Sequence, residues 1–344
     1  MRPFGTIDGA PVHEARIEAG GGVMSASIIE YGAVLRDLHV RRRDGRRQRV
    51  VLGFDRLEDY IAHSPHCGAI AGRFANRIGG GTFWLDGQRY QLPLNQDGRH
   101  SLHGGHGFGV RPWRFVQATA DSVTLALVSP DGDQGYPGTM HVTCRYTLAA
   151  PMTLRIALEA TTDRATVVNL CHHSYFNLDG GTDVLDHELE VRANLFVSVD
   201  ADLIPDGQIL AVAGTPLDFR KPRPIRRLDA AGDRQRYDNA YLLRRDRLET
   251  GAVDDLDLAH ASTLASAGSG LRMEVWTTEP ALQVYDGAKL AVPVAGLDGA
   301  RYGACAGLCL EPQHVPDSPN LPHFPSTVLR PRSVYRQLTE YRFA

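Results

Sequence analysis

Lysine is almost missing from this chain. Only Lys221 and Lys289 stand among 37 basic residues, the rest being arginine, and 40 acidic residues leave a net charge of −3. Without a cationic excess there is no sequence-wide field to hold nucleic acid or an anionic membrane surface, which leaves small molecules as the expected partners. No C-x-x-C pair occurs among the five cysteines, Cys67, Cys144, Cys171, Cys305 and Cys309. An odd count without such a pair argues against a zinc ribbon or a disulfide framework, so reduced thiols are expected. Nowhere do eighteen apolar residues run together, and the opening MRPFGTIDGAPVHEARIEAG lacks the apolar stretch of a secretory signal. The expected location is the cytoplasm.

What the chain does have is strand and turn signals. From Val23, VMSASIIEYGAVLRDLHV mixes β-branched and polar residues in strand-like alternation and stops at RRRDGRRQ, where Asp44-Gly45 marks a hairpin turn. The arginines around that turn read as a solvated hairpin end. TFWLDGQRYQL repeats the pattern around Asp86-Gly87, and VTLALV, HVTCRYTL, MTLRIALEATT and HELEVRANLFVSV continue it. Helical periodicity is confined to pieces such as RLEDYIAH. With 344 residues, 43% of them hydrophobic, and Gly and Pro spread along the chain, the expectation is one all-β domain over residues 1–344. It would be a sandwich or barrel larger than an immunoglobulin domain.

Four segments carry polar residues that a β core does not need. GRFANRIGGG places Arg73, Asn76 and Arg77 among glycines that let backbone approach a ligand, without the G-x-G-x-x-G spacing of a dinucleotide site. NQDGRHSLHGGHGFG sets His100, His103 and His106 three apart, but its glycines exclude a helix and no H-E-x-x-H or acidic ligand accompanies them. A hydrogen-bonding histidine held by a tight glycine turn is expected there, and no metal. NLCHHSYFNL pairs His172 with His173. On a strand the two face opposite sides, His173 sharing its side with Tyr175 and Asn177, so only one can enter a given pocket. In GLCLEPQHVPDSPNLPHFP, Glu311 closes an apolar run before Pro312, where a half-buried carboxylate would have a raised pKa and act as a base near neutral pH.

Taken in order, GRFANRI, SLHGG, DGDQGYPG, NLCHHSYFNL, VDADLIPDGQILAVAGTPLDFR, YDNAYLL, LQVYDG and GLCLEPQHVPDSPN make a sequence that resembles the aldose 1-epimerases, the galactose mutarotase family, over nearly its whole length. The resemblance implies a large antiparallel β-sandwich, the galactose mutarotase-like supersandwich, with a monosaccharide in an open cleft on one sheet and neither metal nor organic cofactor. It implies Glu311 as catalytic base, His173 as general acid and His103 as a second active-site histidine. Asn76, Arg77, Tyr175, Asp238 and Gln283 match positions that bind sugar hydroxyls. One departure stands out: where the family commonly has His-Asn after the aspartate, this chain has Asn239-Ala240.

The implied reaction interconverts the α and β anomers of a free aldose such as galactose or glucose. Losing the C1 hydroxyl proton while the ring oxygen gains one opens the hemiacetal, so two proton carriers are required and no redox step occurs. Three alternatives compete. A glycoside-processing enzyme would pair Asp238 with Glu311 and leave a histidine acid without a role. A non-catalytic sugar-binding protein would have no use for both Glu311 and His173. A sugar-phosphate epimerase would need a cationic phosphate pocket. A monosaccharide substrate and a monomer or homodimer are expected.

Overall fold

The computed structural model describes residues 1–229, 231–253 and 255–344. Among them the elements are β-strands, short 3₁₀ turns and one seven-residue helix, Leu57–His63, which falls where the sequence showed helical periodicity. The Asp44-Gly45 and Asp86-Gly87 signals are both hairpins: Arg41 pairs with Arg47 and Leu85 with Gln88.

Three antiparallel sheets carry the architecture. The N-terminal one orders Arg2–Ile7, Ala10–Ala19, Met24–Ile29, Leu35–Arg41 and Arg47–Arg49 as a meander. The largest, ten-stranded, runs from Arg114–Ala118 through Ser122–Ser129, Met140–Ala149 and Thr153–Thr162 to the C-terminal strand Tyr335–Phe343, and on to Arg272–Thr277, Leu256–Ala265, Glu188–Val191 and Arg223–Pro224, with Leu248–Val253 also pairing Leu256–Ala265. The third has six strands in the order Tyr175–Phe176, Leu308–Gln313, Ala281–Tyr285, Asp238–Leu243, Ala193–Val199 and Pro205–Ala211. This is the expected all-β antiparallel sandwich. HELEVRANLFVSV divides at Arg192: Glu188–Val191 belongs to the ten-stranded sheet and Ala193–Val199 to the six-stranded one.

Period-two alternation explains the burial. Met140–Ala149 buries every second side chain, placing Met140, Val142, Cys144, Tyr146 and Leu148 in the main apolar core. Residues from all three sheets enter that core, among them Leu38, Leu158 and Leu310. In the six-stranded sheet one face supplies Leu308, Leu310, Leu282, Val284 and Tyr241 to the core. The opposite face carries Cys309, Glu311, Gln283, Asp238 and Ala240, because neighbouring residues on a strand point to opposite sides. Cross-strand register fixes the order: Ala240 lies opposite Gln283, and Gln283 opposite Glu311. The polar set is therefore a row across adjacent strands, laid on a rigid floor by the same alternation that fills the core behind it.

Candidate active site

Above that floor lies a cleft of about 180 Å³. Glu311 and Asp238 rise from the floor, and His173 arrives on the three-residue strand Cys171–His173, which pairs with Ala69–Ala71. Asn76, Arg77 and His103 come from the two glycine-rich loops, and Tyr175 from the strand edge. Seven of the eight site residues expected from the sequence thus line one cleft. Gln283 stands behind them, its amide nitrogen donating to Asp238 Oδ1 at 2.6 Å, with its Oε1 buried and unpartnered.

The two loops lock together before they meet any ligand. Arg77–Ile78 pairs with Ser101–Leu102. Asn76 and His103 both hold left-handed backbone (φ 62° and 51°) and bond to one another twice: His103 N–H donates to the Asn76 carbonyl at 3.0 Å, and Asn76 N–H donates to His103 Nδ1 at 3.2 Å. Non-glycine residues held there store strain of order 1–3 kcal/mol, which the surrounding bonds must sustain. Gly104 makes the approach possible, since a Cβ at that position would sit 2.3 Å from the Gly72 carbonyl oxygen. With Nδ1 accepting, a neutral His103 carries its proton on Nε2 and can donate it. Burial, helped by the nearby His66, His173 and Arg77, holds this imidazole well below the usual histidine range.

Arg73 and Arg77, four residues apart, part company. Arg73 is buried away from the cleft and donates to the carbonyls of Ser129, Pro137 and Gly138 and the hydroxyls of Ser129 and Thr166, stitching loops together; desolvation lowers its pKa to about 10. Arg77 donates to Gln96 at 2.8 Å and to Asn76 Oδ1 at 3.2 Å, and reaches Asp238 at 3.8 Å. The histidine trio also disperses. His100 accepts from Gly80 N–H and lies 3.3 Å from Asp202, His106 is exposed, and only His103 faces the cleft. Among the described residues the one His/Cys/Asp/Glu group compact enough to hold a metal ion is His173, Cys309 and Glu311, with ligand atoms within 4.8 Å of one another.

His172 and His173 do face opposite sides. His172 packs edge-on against Tyr146 and Tyr341 in the core, while His173 lies against Tyr175, His103 and His66. Asn177, placed on the same side by alternation, instead turns its amide to the carbonyls of Gly181 and Ala306. Tyr175 lines the cleft, but its hydroxyl donates to Pro65 O at 3.2 Å. Glu311, expected half-buried, is 2% exposed; Leu310 and Pro312 flank it within a strand buried along its whole length. Its Oε1 lies 3.8 Å from His173 Nε2. Desolvation raises the Glu311 carboxyl to about 8 and lowers the His173 imidazole to about 4, so burial drives both toward their neutral forms.

Comparison with known proteins settles the family. The family model for aldose 1-epimerase matches residues 15–342. The galactose mutarotase of Bos taurus is 39% identical over 324 residues, covering 93% of this chain and 91% of that protein; the aldose 1-epimerase of Escherichia coli K12 is 37% identical over 345 residues, covering 98% and 96%. The chain belongs to the aldose 1-epimerase family. It is accordingly an isomerase with the mutarotase sandwich. An aldose epimerase homologue from C. elegans has a similar structure, with TM-score 0.89 and 30% identity, covering 97% of this chain and 99% of that one.

Several residues of this epimerase's cleft carried no signal in the motifs singled out above. His66, Tyr285 and Lys289 line it, and Cys171 and Cys309 touch the buried pair from behind. His66 lies three residues before the strand Ala69–Ala71 that pairs with Cys171–His173, and its ring stands against His103 and His173. Asn239 lies in an adjoining hollow of about 220 Å³ that shares Asp238, Tyr285 and Lys289 with the cleft. A larger hollow of about 400 Å³ on the N-terminal sheet holds charges already spent on one another: Arg36 bonds Glu14, and the Asp37 carboxylate, 3.4 Å from His39, accepts from Arg49 through both oxygens.

Proposed function

We propose that this epimerase interconverts the α and β anomers of a free aldose such as galactose or glucose by general acid–base ring opening and closure, with Glu311 and His173 as the proton carriers. The observation that carries the reading is their 3.8 Å separation at the base of the cleft. The two oxygens that exchange protons, the C1 hydroxyl and the ring oxygen, are bonded to the same carbon, so their carriers must lie side by side.

In ring opening the Glu311 carboxylate takes the C1 hydroxyl proton, the bond from C1 to the ring oxygen breaks, and the ring oxygen takes a proton from the His173 imidazolium. The aldehyde rotates about C1–C2; on closure the oxygen that left attacks the other face of C1 and returns its proton to His173, while Glu311 gives its proton to the carbonyl oxygen. The pair holds one proton throughout, on His173 before opening and on Glu311 after it. Burial favours that proton on Glu311, the state that receives the open chain. Arg77 favours the alternative by stabilising the carboxylate, and Asp238 by favouring the imidazolium. Each transfer contributes about 10² to 10⁴ in rate. Proton transfer alone balances the reaction, so it calls for no cofactor.

The remaining groups read as sugar-holding. His103 offers Nε2–H, Asp238 accepts from hydroxyls while Gln283 and Arg77 fix its orientation, and Asn76 and Arg77 close the far wall. Asp238 so held is committed to orientation, which disfavours its service as the second carboxylate of a hydrolase. We propose further that residues 1–344 act as one domain in the cytoplasm, as monomer or homodimer, with the monosaccharide as partner; the core shared by all three sheets supports the single domain. Polarimetry on fresh α-anomers of galactose, glucose, xylose and arabinose tests the reading. Accelerated mutarotation of at least one is expected, and spontaneous rates for all four would overturn it.

A further inference from the structure

Two buried thiols stand directly behind the proton carriers. Cys171 Sγ lies 3.4 Å from Glu311 Oε2, placed to donate its S–H, and Cys309 Sγ lies 3.6 Å from His173 Nδ1. Both side chains are fully shielded from solvent. Cys171 shares its side of the Cys171–His173 strand with His173, two residues on, and Cys309 shares its side of the Leu308–Gln313 strand with Glu311. Each strand therefore brings one proton carrier together with the thiol that contacts the carrier of the other strand.

We infer that Cys171 and Cys309 are positioning residues of the epimerase, holding the Glu311 carboxyl and the His173 ring so that their other polar atoms, Glu311 Oε1 and His173 Nε2, face the reacting oxygens. The inference rests on the proton-carrier roles proposed above. A thiol suits both places because it is at once a weak donor and a weak acceptor. His173 passes its proton through Nε2, so Nδ1 keeps its hydrogen in both protonation states and donates it to the Cys309 sulfur. The nearness of Cys309 to Glu311, Cys67, Cys171 and Asp238, added to burial, keeps its own thiol protonated. Cys171 gives Glu311 one weak hydrogen bond where a hydroxyl would give a strong one, leaving the carboxyl a better base. Burial and the nearby Glu311 likewise keep Cys171 protonated, so it remains a donor.

The test is the pH dependence of kcat/KM for Cys171→Ala and Cys171→Ser. Besides Cys171, the titratable and charged groups around Glu311 are His173 from the same strand, Cys309 from its own, Asp238 from the floor, Arg77 from the loop, and Tyr175 and Tyr341; all stay unchanged. Losing the S–H donor leaves the carboxylate less stabilised and moves the alkaline limb up. A serine hydroxyl, the stronger donor, moves it down. Opposite displacements of about half to one pH unit are expected, with kcat lowered about three- to tenfold in Cys171→Ala and KM little changed. Cys144→Ala, a buried thiol of the main core, serves as the packing control and should leave the limb in place. Cys309→Ala should lower kcat without moving KM, and Cys309→Ser should restore most of it. Wild-type protein that fails to accelerate mutarotation would overturn the acid–base reading itself. An active wild type whose alkaline limb does not move, or moves the same way, in both Cys171 variants would overturn the thiol inference alone.

Discussion

The strand Cys171–His173 shows two histidines, equally buried, with opposite fates. His172 and His173 are 4% and 5% exposed, and desolvation lowers their pKa values to about 3 and about 4. What separates them is the company each side keeps. His172 sits between tyrosines on the core side, with Tyr146 O–H at 3.4 Å from its Nδ1 and no partner on Nε2, and has no second proton carrier to work with. His173 sits on the cleft side beside a carboxylate that burial pushes the other way. Arg73 and Arg77 repeat the contrast within one loop. A perturbed titration therefore marks a functional group only when a complementary group shares its pocket.

The largest break in that comparison comes from removing the complementary group. Glu311→Gln keeps shape and removes the base, and turnover should fall by about two to four powers of ten while sugar binding, read by calorimetry, largely survives. Arg73→Met against Arg77→Met comes next. Arg73 leaves the carbonyls of Ser129, Pro137 and Gly138 without their donor, costing about 3–5 kcal/mol in denaturant unfolding. Arg77→Met should spare stability and raise KM roughly tenfold through loosened Asp238.

The pH profile sharpens the contrast further. Because the active pair holds one proton, kcat/KM should be level between the two pKa values, falling below about pH 4, where His173 and Glu311 are both protonated, and above about pH 8, where both are deprotonated. A single limb near the ordinary histidine value would point to a solvated imidazole instead. The smallest effect belongs to the hairpin arginines. The Arg46 side chain bonds Asp44 at an exposed turn, and Arg46→Ala should leave the unfolding midpoint and turnover unmoved within error.

Much of this was legible in the sequence because β structure writes its faces in period two. Alternation after Cys171 separated His173 from His172, and D-G turns located two hairpins. Seven expected residues reach the cleft because their motifs supplied both the residue type and its loop or strand. The depth of Glu311 was not legible, since burial along Leu308–Gln313 depends on the strands stacked over it. The contacts of Cys171, Cys309 and His66 at the cleft were hidden for the same reason: they run between segments distant in the chain. Asn177 shows the limit of alternation, which places a side chain on a face without saying which carbonyl it will find there.

The central claim is that chemistry follows the cleft side of one short strand. Polarimetry on fresh α-galactose with His173→Asn and His172→Asn, each normalised to folded protein, tests it most directly. His173→Asn should lose about two to four powers of ten in turnover while His172→Asn loses stability and keeps its rate per folded molecule within a few-fold. A His173→Asn protein at full speed, or a His172→Asn protein that folds normally and is inactive, would contradict the account.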